Sequence, residues 1–211
     1  MQKWAVMLTV ADRETLEQNL RHLATRGDFQ SVATRVIEEY GPEIYGYLIA
    51  AGPGESEADE AFSAFAEDLW RGVSGFRWES SMRTWAYTLA KNALWRHLRA
   101  IRRLANVPLS SAPEVMEVPQ RLRTCTQKYM RTEVKDQFAE LRKQLDPEDQ
   151  TLLVLRVSRE MSWNEIARII SPDVVEGDGD ALRREAARLR KRFERIKLEL
   201  AELARARGIH A

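Results

Sequence analysis

The sequence predicts an all-α protein of two small helical domains joined by a flexible linker, with an N-terminal helical extension. Three observations carry that expectation. Apolar residues recur at spacings of three and four in almost every periodic stretch. Capping residues and glycines punctuate those stretches. One segment, rich in proline and serine, interrupts any regular element. The expected division is an extension over 1–32, a first domain over 33–103, a linker over 104–127 and a second domain over 128–211.

The first helix, from Arg13 to Thr25, places Leu16, Leu20, Leu23 and Ala24 on one side. A second is expected from about Phe29 to Tyr40. Pro42 then suits the start of a third, carrying Ile44, Tyr45 and Leu48. The turn AAGPGES follows, with Ser56 placed to cap a helix whose face holds Ala61, Phe62, Phe65, Leu69 and Trp70. Gly72 and Gly75 break that helix before a basic one begins. Pro108, Pro113 and Pro119 mark the linker, and helicity resumes through Val134, Phe138 and Leu141. In the second domain Asp146 caps a helix with Pro147 at its first position. Ser162 and Glu165 form a capping box. An acidic loop over 171–180 precedes a last helix capped by Asp180, with Leu182, Ala186, Leu189, Phe193, Ile196, Leu200 and Leu203 in register. Two short helices, a turn and a basic third helix fit a helix-turn-helix module. The strict heptad also admits, as the lesser alternative, a helix that pairs with another helix.

With 211 residues, 44% hydrophobic and 31% charged, the composition is that of a globular protein. No run approaches the roughly 18 apolar residues needed to span a bilayer, and no signal peptide is read at the N-terminus. Membrane insertion is therefore not expected. The single cysteine, Cys125, excludes an internal disulfide framework and points to a reducing cytoplasm. His22, His97 and His210 are far apart, with no cysteine cluster beside them. The glycines at 52–54 and 177–179 lack the strand, helix and lysine of a phosphate loop. The acids of 173–180 do not follow EF-hand spacing. An enzyme, a metal site and a cofactor are all unexpected.

Net charge is only +1, but the charges are segregated. Acids gather at 55–68 and 173–180, and bases at 77–103 and 183–197. The segment FRWESSMRTWAYTLAKNALWRHLRAIRR, over 76–103, holds seven Arg or Lys against one acid, Glu79. On a helical wheel Trp85, Ala86, Leu89, Ala90, Ala93, Leu94 and Ile101 share one arc. Thr84, Tyr87, Thr88, Lys91, Asn92, Trp95, Arg99, Arg102 and Arg103 share the other. Salt-bridged surface helices alternate signs, and this one does not. Cations interleaved with rings suit single-stranded or melting nucleic acid.

This order of parts resembles a bacterial RNA polymerase sigma factor of the group IV, extracytoplasmic-function type in the sigma-70 family. The resemblance rests on Phe76, Ser81-Met82-Arg83-Thr84-Trp85, Ala90-Lys91-Asn92 and His97-Leu98-Arg99. A second match is LDPEDQTLLVLRVSREMSWNEIARII, over 145–170. It implies a region 2-like domain for the −10 element and a region 4-like helix-turn-helix domain for the −35 element. DNA melting then falls to Arg83, Thr84, Tyr87, Lys91, Asn92, Trp95, Arg99 and Arg102, with the loop over 76–82 holding an extruded base. Trp85 is assigned mainly to the core. The −35 contacts fall to Arg183, Arg184 and Arg188, while Arg190, Lys191, Arg192 and Arg195 are phosphate contacts or solvated. Asp59, Glu60, Ser63 and Glu67 are implied to bind polymerase. The partners implied are the clamp helices and flap of core polymerase, promoter DNA and an inhibitory anti-sigma protein. The chain departs from the family pattern at Glu60-Ala61-Phe62-Ser63-Ala64, in the loop over 171–180 and in the extension. Two other functions fit the residues: a polymerase-independent helix-turn-helix regulator, and a protein-interaction module derived from a sigma factor.

Overall fold

The computed structural model describes residues 9–104 and 140–207. The chain falls into two compact units, 1–129 and 130–211. The linker expected over 104–127 lies outside the described residues, except for Leu104 at the end of a helix. Among the described residues all regular structure is helical.

The first unit opens with α1 (Val10–Thr25). Thr9 and Asp12 close a capping box at its start, each side chain accepting the other's amide at 3.2 Å. Leu16 and Leu20 are buried against the unit. Helix α2 (Phe29–Ala51) starts at Asp28, whose carboxylate accepts the Ser31 amide. Pro42 was expected to begin a separate helix, but it lies inside this continuous one. An interior proline costs about 3 kcal/mol. Here burial of Val36, Tyr40, Ile44, Tyr45, Tyr47 and Leu48 on both sides of it outweighs that cost.

Helix α3 (Glu55–Gly72) is capped by Gly54 and not by Ser56, and no side chain caps it. Glu55 and Glu57 in the first turn complement the helix dipole instead. Its core face is Ala58, Ala61, Phe62, Phe65 and Leu69. Trp70, expected on that face, is 53% exposed. A single 3₁₀ turn (Val73–Gly75) ends α3, and a loop over 76–81 leads to α4 (Met82–Leu104). Helices α2, α3 and α4 pack mutually, and α1 lies on α2.

In the second unit Leu141 and Leu145 are buried before α5 (Pro147–Leu153). Asp146 caps α5 by accepting the Glu148 amide at 2.9 Å, with Pro147 in the first turn as expected. The chain then widens into a π turn (Val154–Ser158). Helix α6 (Trp163–Ile170) carries the expected Ser162–Glu165 capping box. The stretch 171–180 is not one irregular loop: it contains a short helix, α7 (Pro172–Val175). Gly177 takes φ 73° after it. Asp178, and not Asp180, caps α8 (Gly179–Ala206), accepting the Asp180 and Ala181 amides at 2.8 and 3.0 Å. Leu182, Ala186, Leu189, Phe193 and Ile196 are buried within this unit against α5, α6 and α7. Much of the heptad face is thus spent on the module's own core. No helix among the described residues is long and apolar enough to cross a membrane.

Candidate nucleic-acid interface

Exposure of α4 changes along its axis as well as around it. Its first turns are enclosed, with Met82, Arg83, Thr84, Ala86 and Tyr87 all buried. Its last turns are more exposed, at Arg96, Arg99, Arg102 and Arg103. The wheel that put Thr84 and Tyr87 on a solvent arc assumed that one flank of the helix was covered. In the structure α1, α2 and α3 close around the N-terminal end together.

Arg83, Thr84 and Tyr87 are therefore removed from the surface expected to touch DNA. Arg83 is 5% exposed and forms a two-pronged bond to Glu43, at 2.7 and 3.1 Å. Its guanidinium also lies 5.4 Å from the centre of the Tyr87 ring. Tyr87 is fully buried and packs on Tyr47 at 5.4 Å. The Ser81 and Thr84 hydroxyls bond at 2.8 Å, and Ser81 Oγ accepts the Thr84 amide at 3.1 Å. This is a helix start, where such a hydroxyl satisfies a free amide.

The remaining free amides of that helix start are met from 65 residues upstream. Glu17 of α1 accepts the Met82 amide at 2.8 Å and the Arg83 amide at 3.0 Å. It also accepts the Tyr40 hydroxyl at 3.0 Å. Burial, reinforced by the Glu17 carboxylate, pushes the Tyr40 phenol far above its ordinary range. It remains a neutral donor to Glu17.

The loop before α4 is built from rings. Phe76 stacks on Trp85 at 4.8 Å and meets Trp78 at 5.0 Å. Trp85 in turn covers Gly72, where a Cβ would stand 3.2 Å from the indole. Trp78 has φ 60°, a left-handed conformation that costs a non-glycine residue about 1–3 kcal/mol. Arg77 and Glu79, on either side of it, pair at 3.4 Å. Arg21 of α1 lies over the Trp78 ring at 5.4 Å. Trp85 is half-buried in this cluster, packed as expected of a core residue.

Past the enclosed end, Lys91, Asn92 and Trp95 are half-buried and Arg99 and Arg102 exposed. Arg96 is held by Asp68 of α3. The structure therefore keeps five of the eight expected melting residues at the surface of one rod. Of the four expected to meet polymerase, Asp59 and Ser63 are already engaged inside the unit. The Tyr45 hydroxyl donates to Asp59 at 2.6 Å, and Ser63 Oγ donates to the Asp59 carbonyl at 3.1 Å. Glu60 is half-buried, and Glu67 is exposed and pairs with Arg71.

On α8, Arg183, Arg184 and Arg188 project from the exposed side, each against an acid of its own helix start. Arg183 pairs with Asp180, and Arg184 with Asp178 at 3.6 Å. Arg188 makes two bonds to Glu185, at 2.6 and 2.7 Å. Glu185 is 7% exposed and also accepts the Ser171 hydroxyl at 2.6 Å. The Arg188 guanidinium holds the Glu185 carboxyl below its ordinary value, and Glu185 raises Arg188 in return. Arg192 is bound to Asp149 and Glu148 of α5, which makes it a brace between helices. Arg190, Lys191 and Arg195 are exposed.

Glu17, Arg21, Glu43 and Glu185 had no sequence signal for their roles. Glu17, Arg21 and Glu43 act on residues distant in sequence, as Glu185 does on Ser171, and periodicity does not report that; only the Glu185–Arg188 pair, three residues apart, has a local spacing.

The sigma-70 region 2 family model matches residues 36–104, the stretch that holds most of α2, all of α3 and all of α4. The RNA polymerase sigma factor YlaC of Bacillus subtilis (strain 168) is 30% identical over 138 residues, covering 64% of this chain and 77% of that protein. No solved structure matches the chain.

Proposed function

Because the chain belongs to the sigma-70 family of RNA polymerase sigma factors, of the extracytoplasmic-function type, we propose that it directs core polymerase to specific promoters and helps open the −10 element. Transcription initiation is the role of the family. The observation that supports the finer reading is the graded exposure of α4. Its enclosed end anchors the helix, and the more exposed end carries Lys91, Asn92, Trp95, Arg99 and Arg102 toward a strand. A strand needs cations along its phosphates and a ring against its bases, and this surface supplies both. Asn92 has the donor and acceptor pair that reads a base edge. The loop over 76–81 receives an extruded base, which offsets part of the cost of unstacking it.

In the second unit the exposed side of α8 enters the major groove of the −35 element. Arg183, Arg184 and Arg188 lie in its first turns, where a recognition helix meets bases. Arg190, Lys191 and Arg195 follow along the phosphates. Polymerase docks on α3 through Glu60 and Glu67, with Asp59 and Ser63 shaping that helix from beneath. The protein acts in the cytoplasm, where polymerase and chromosome are.

Run-off transcription with purified core polymerase on a promoter library tests this reading. The expected result is initiation at a defined subset of promoters only when the chain is added. Failure to direct any initiation overturns it, as does equal promoter affinity with and without core.

A further inference from the structure

Two residues one turn apart on α1 hold opposite ends of the loop over 76–81. Arg21 covers Trp78 near its start, and Glu17 takes the two amides at which α4 begins. Between them the rings form a ladder, Trp85 on Phe76 and Phe76 on Trp78. Phe76 is enclosed by the two tryptophans, and Trp85 lies between Phe76 and Gly72. Trp78 ends the ladder, and the group against it is an exposed side chain.

We propose that Trp78 is the stacking platform for one extruded base of the unwound promoter strand, and that Arg21 covers that ring until the base arrives. This rests on the reading of the chain as a promoter-opening factor and assigns the residue pair that receives the base. Magnitudes favour the exchange. An exposed guanidinium over an indole is held by a factor of about two to five. A base on an aromatic ring is held by a factor of about five to a hundred. The backbone points the same way. Trp78 sits in a region that glycine enters freely and tryptophan does not. A ring kept there against its own preference belongs to the site's work and not to the stability of the fold.

The test uses the full chain with core polymerase and pre-melted promoter fragments taken from the run-off experiment. Each nontemplate nucleotide in turn is made abasic, and the half-life of the complex is measured. Wild-type protein loses about five- to a hundredfold in half-life at the captured position. Trp78→Gly abolishes that loss at that one position and keeps the others. Its thermal midpoint does not fall, since glycine relieves the backbone. Arg21→Ala keeps the position-specific loss, with complexes on intact fragments as long-lived as wild type or longer. Trp78→Gly retaining the loss overturns the platform. Arg21→Ala abolishing it overturns the cover, because Arg21 then positions the ring. Absence of run-off by wild-type protein counts against the promoter-opening reading itself, whereas normal run-off with an unchanged abasic pattern in Trp78→Gly counts against the platform alone.

Discussion

Arg83 shows how a cation in a basic helix becomes part of a core. Its pairing with Glu43 leaves the two side chains 6% and 13% exposed, and breaking such a pair leaves a charge without its partner. Arg83→Ala is expected to destabilise the first unit by about 3–5 kcal/mol, read by chemical denaturation. Its effect on promoter binding should vanish once the folded fraction is accounted for. Glu185 makes the opposite pairing, a buried carboxylate under an exposed arginine. Its carboxyl lies below its ordinary value when folded, so the bond contributes above the unfolded value of about 4.3 and fades as pH falls below it. Glu185→Gln should remove that slope. The loss of stability of the second unit on acidification, followed by circular dichroism, is then shallower than in wild type. An identical slope in the two proteins would show that Arg188 gains nothing from the charge.

Among the helices, α1 does more than extend the chain. Through Glu17 it accepts the two amides at the start of α4 that the Ser81 cap leaves open, and through Leu16 and Leu20 it closes one side of the unit. Glu17→Ala is expected to cost about 1–2 kcal/mol and to raise amide hydrogen exchange first at Met82 and Arg83. Exchange that rises evenly along α4 would argue against a local cap. The pairs at the start of α8 act at the same scale. Arg183 and Arg184 are held by Asp180 and Asp178 on a solvent-exposed surface, where such pairs contribute little and yield readily to phosphate or base.

For the molecule as a whole, a net charge of +1 supplies little general attraction for duplex DNA. Under the proposed function, two weak DNA surfaces carried together by polymerase gain strength, because the second contact is then made at high effective concentration. Free protein should bind promoter DNA poorly, and the complex with core should bind tightly with a steep salt dependence. Arg99→Ala should lower the slope of log affinity against log salt by about one in that complex, measured by filter binding or fluorescence anisotropy. An unchanged slope would place Arg99 off the phosphate path.

The helical class, the capping boxes and most of the buried apolar positions were legible because they depend on local spacing. Ser162 with Glu165, Pro147 at a helix start and the Leu182 to Ile196 register need only neighbours within a turn or two. Pro42 was misplaced because burial on both sides of it overrode a local preference. Asp178 displaced Asp180 as the cap because either side chain suits the position, and only the path of the backbone selects between them. Of the residues expected to meet DNA, the wheel gave the phase of Lys91, Asn92, Trp95 and Arg99, which are half-buried or exposed, whereas Arg83, Thr84 and Tyr87, expected at the surface, are buried. By itself the sequence determined which residues are cationic or aromatic and at what helical phase they lie. Tertiary structure decided which end of α4 is enclosed, that Glu17 and Arg21 reach it, and that Trp78 is held at positive φ. Phase around a helix is a property of the chain, while enclosure along it depends on neighbours tens of residues away.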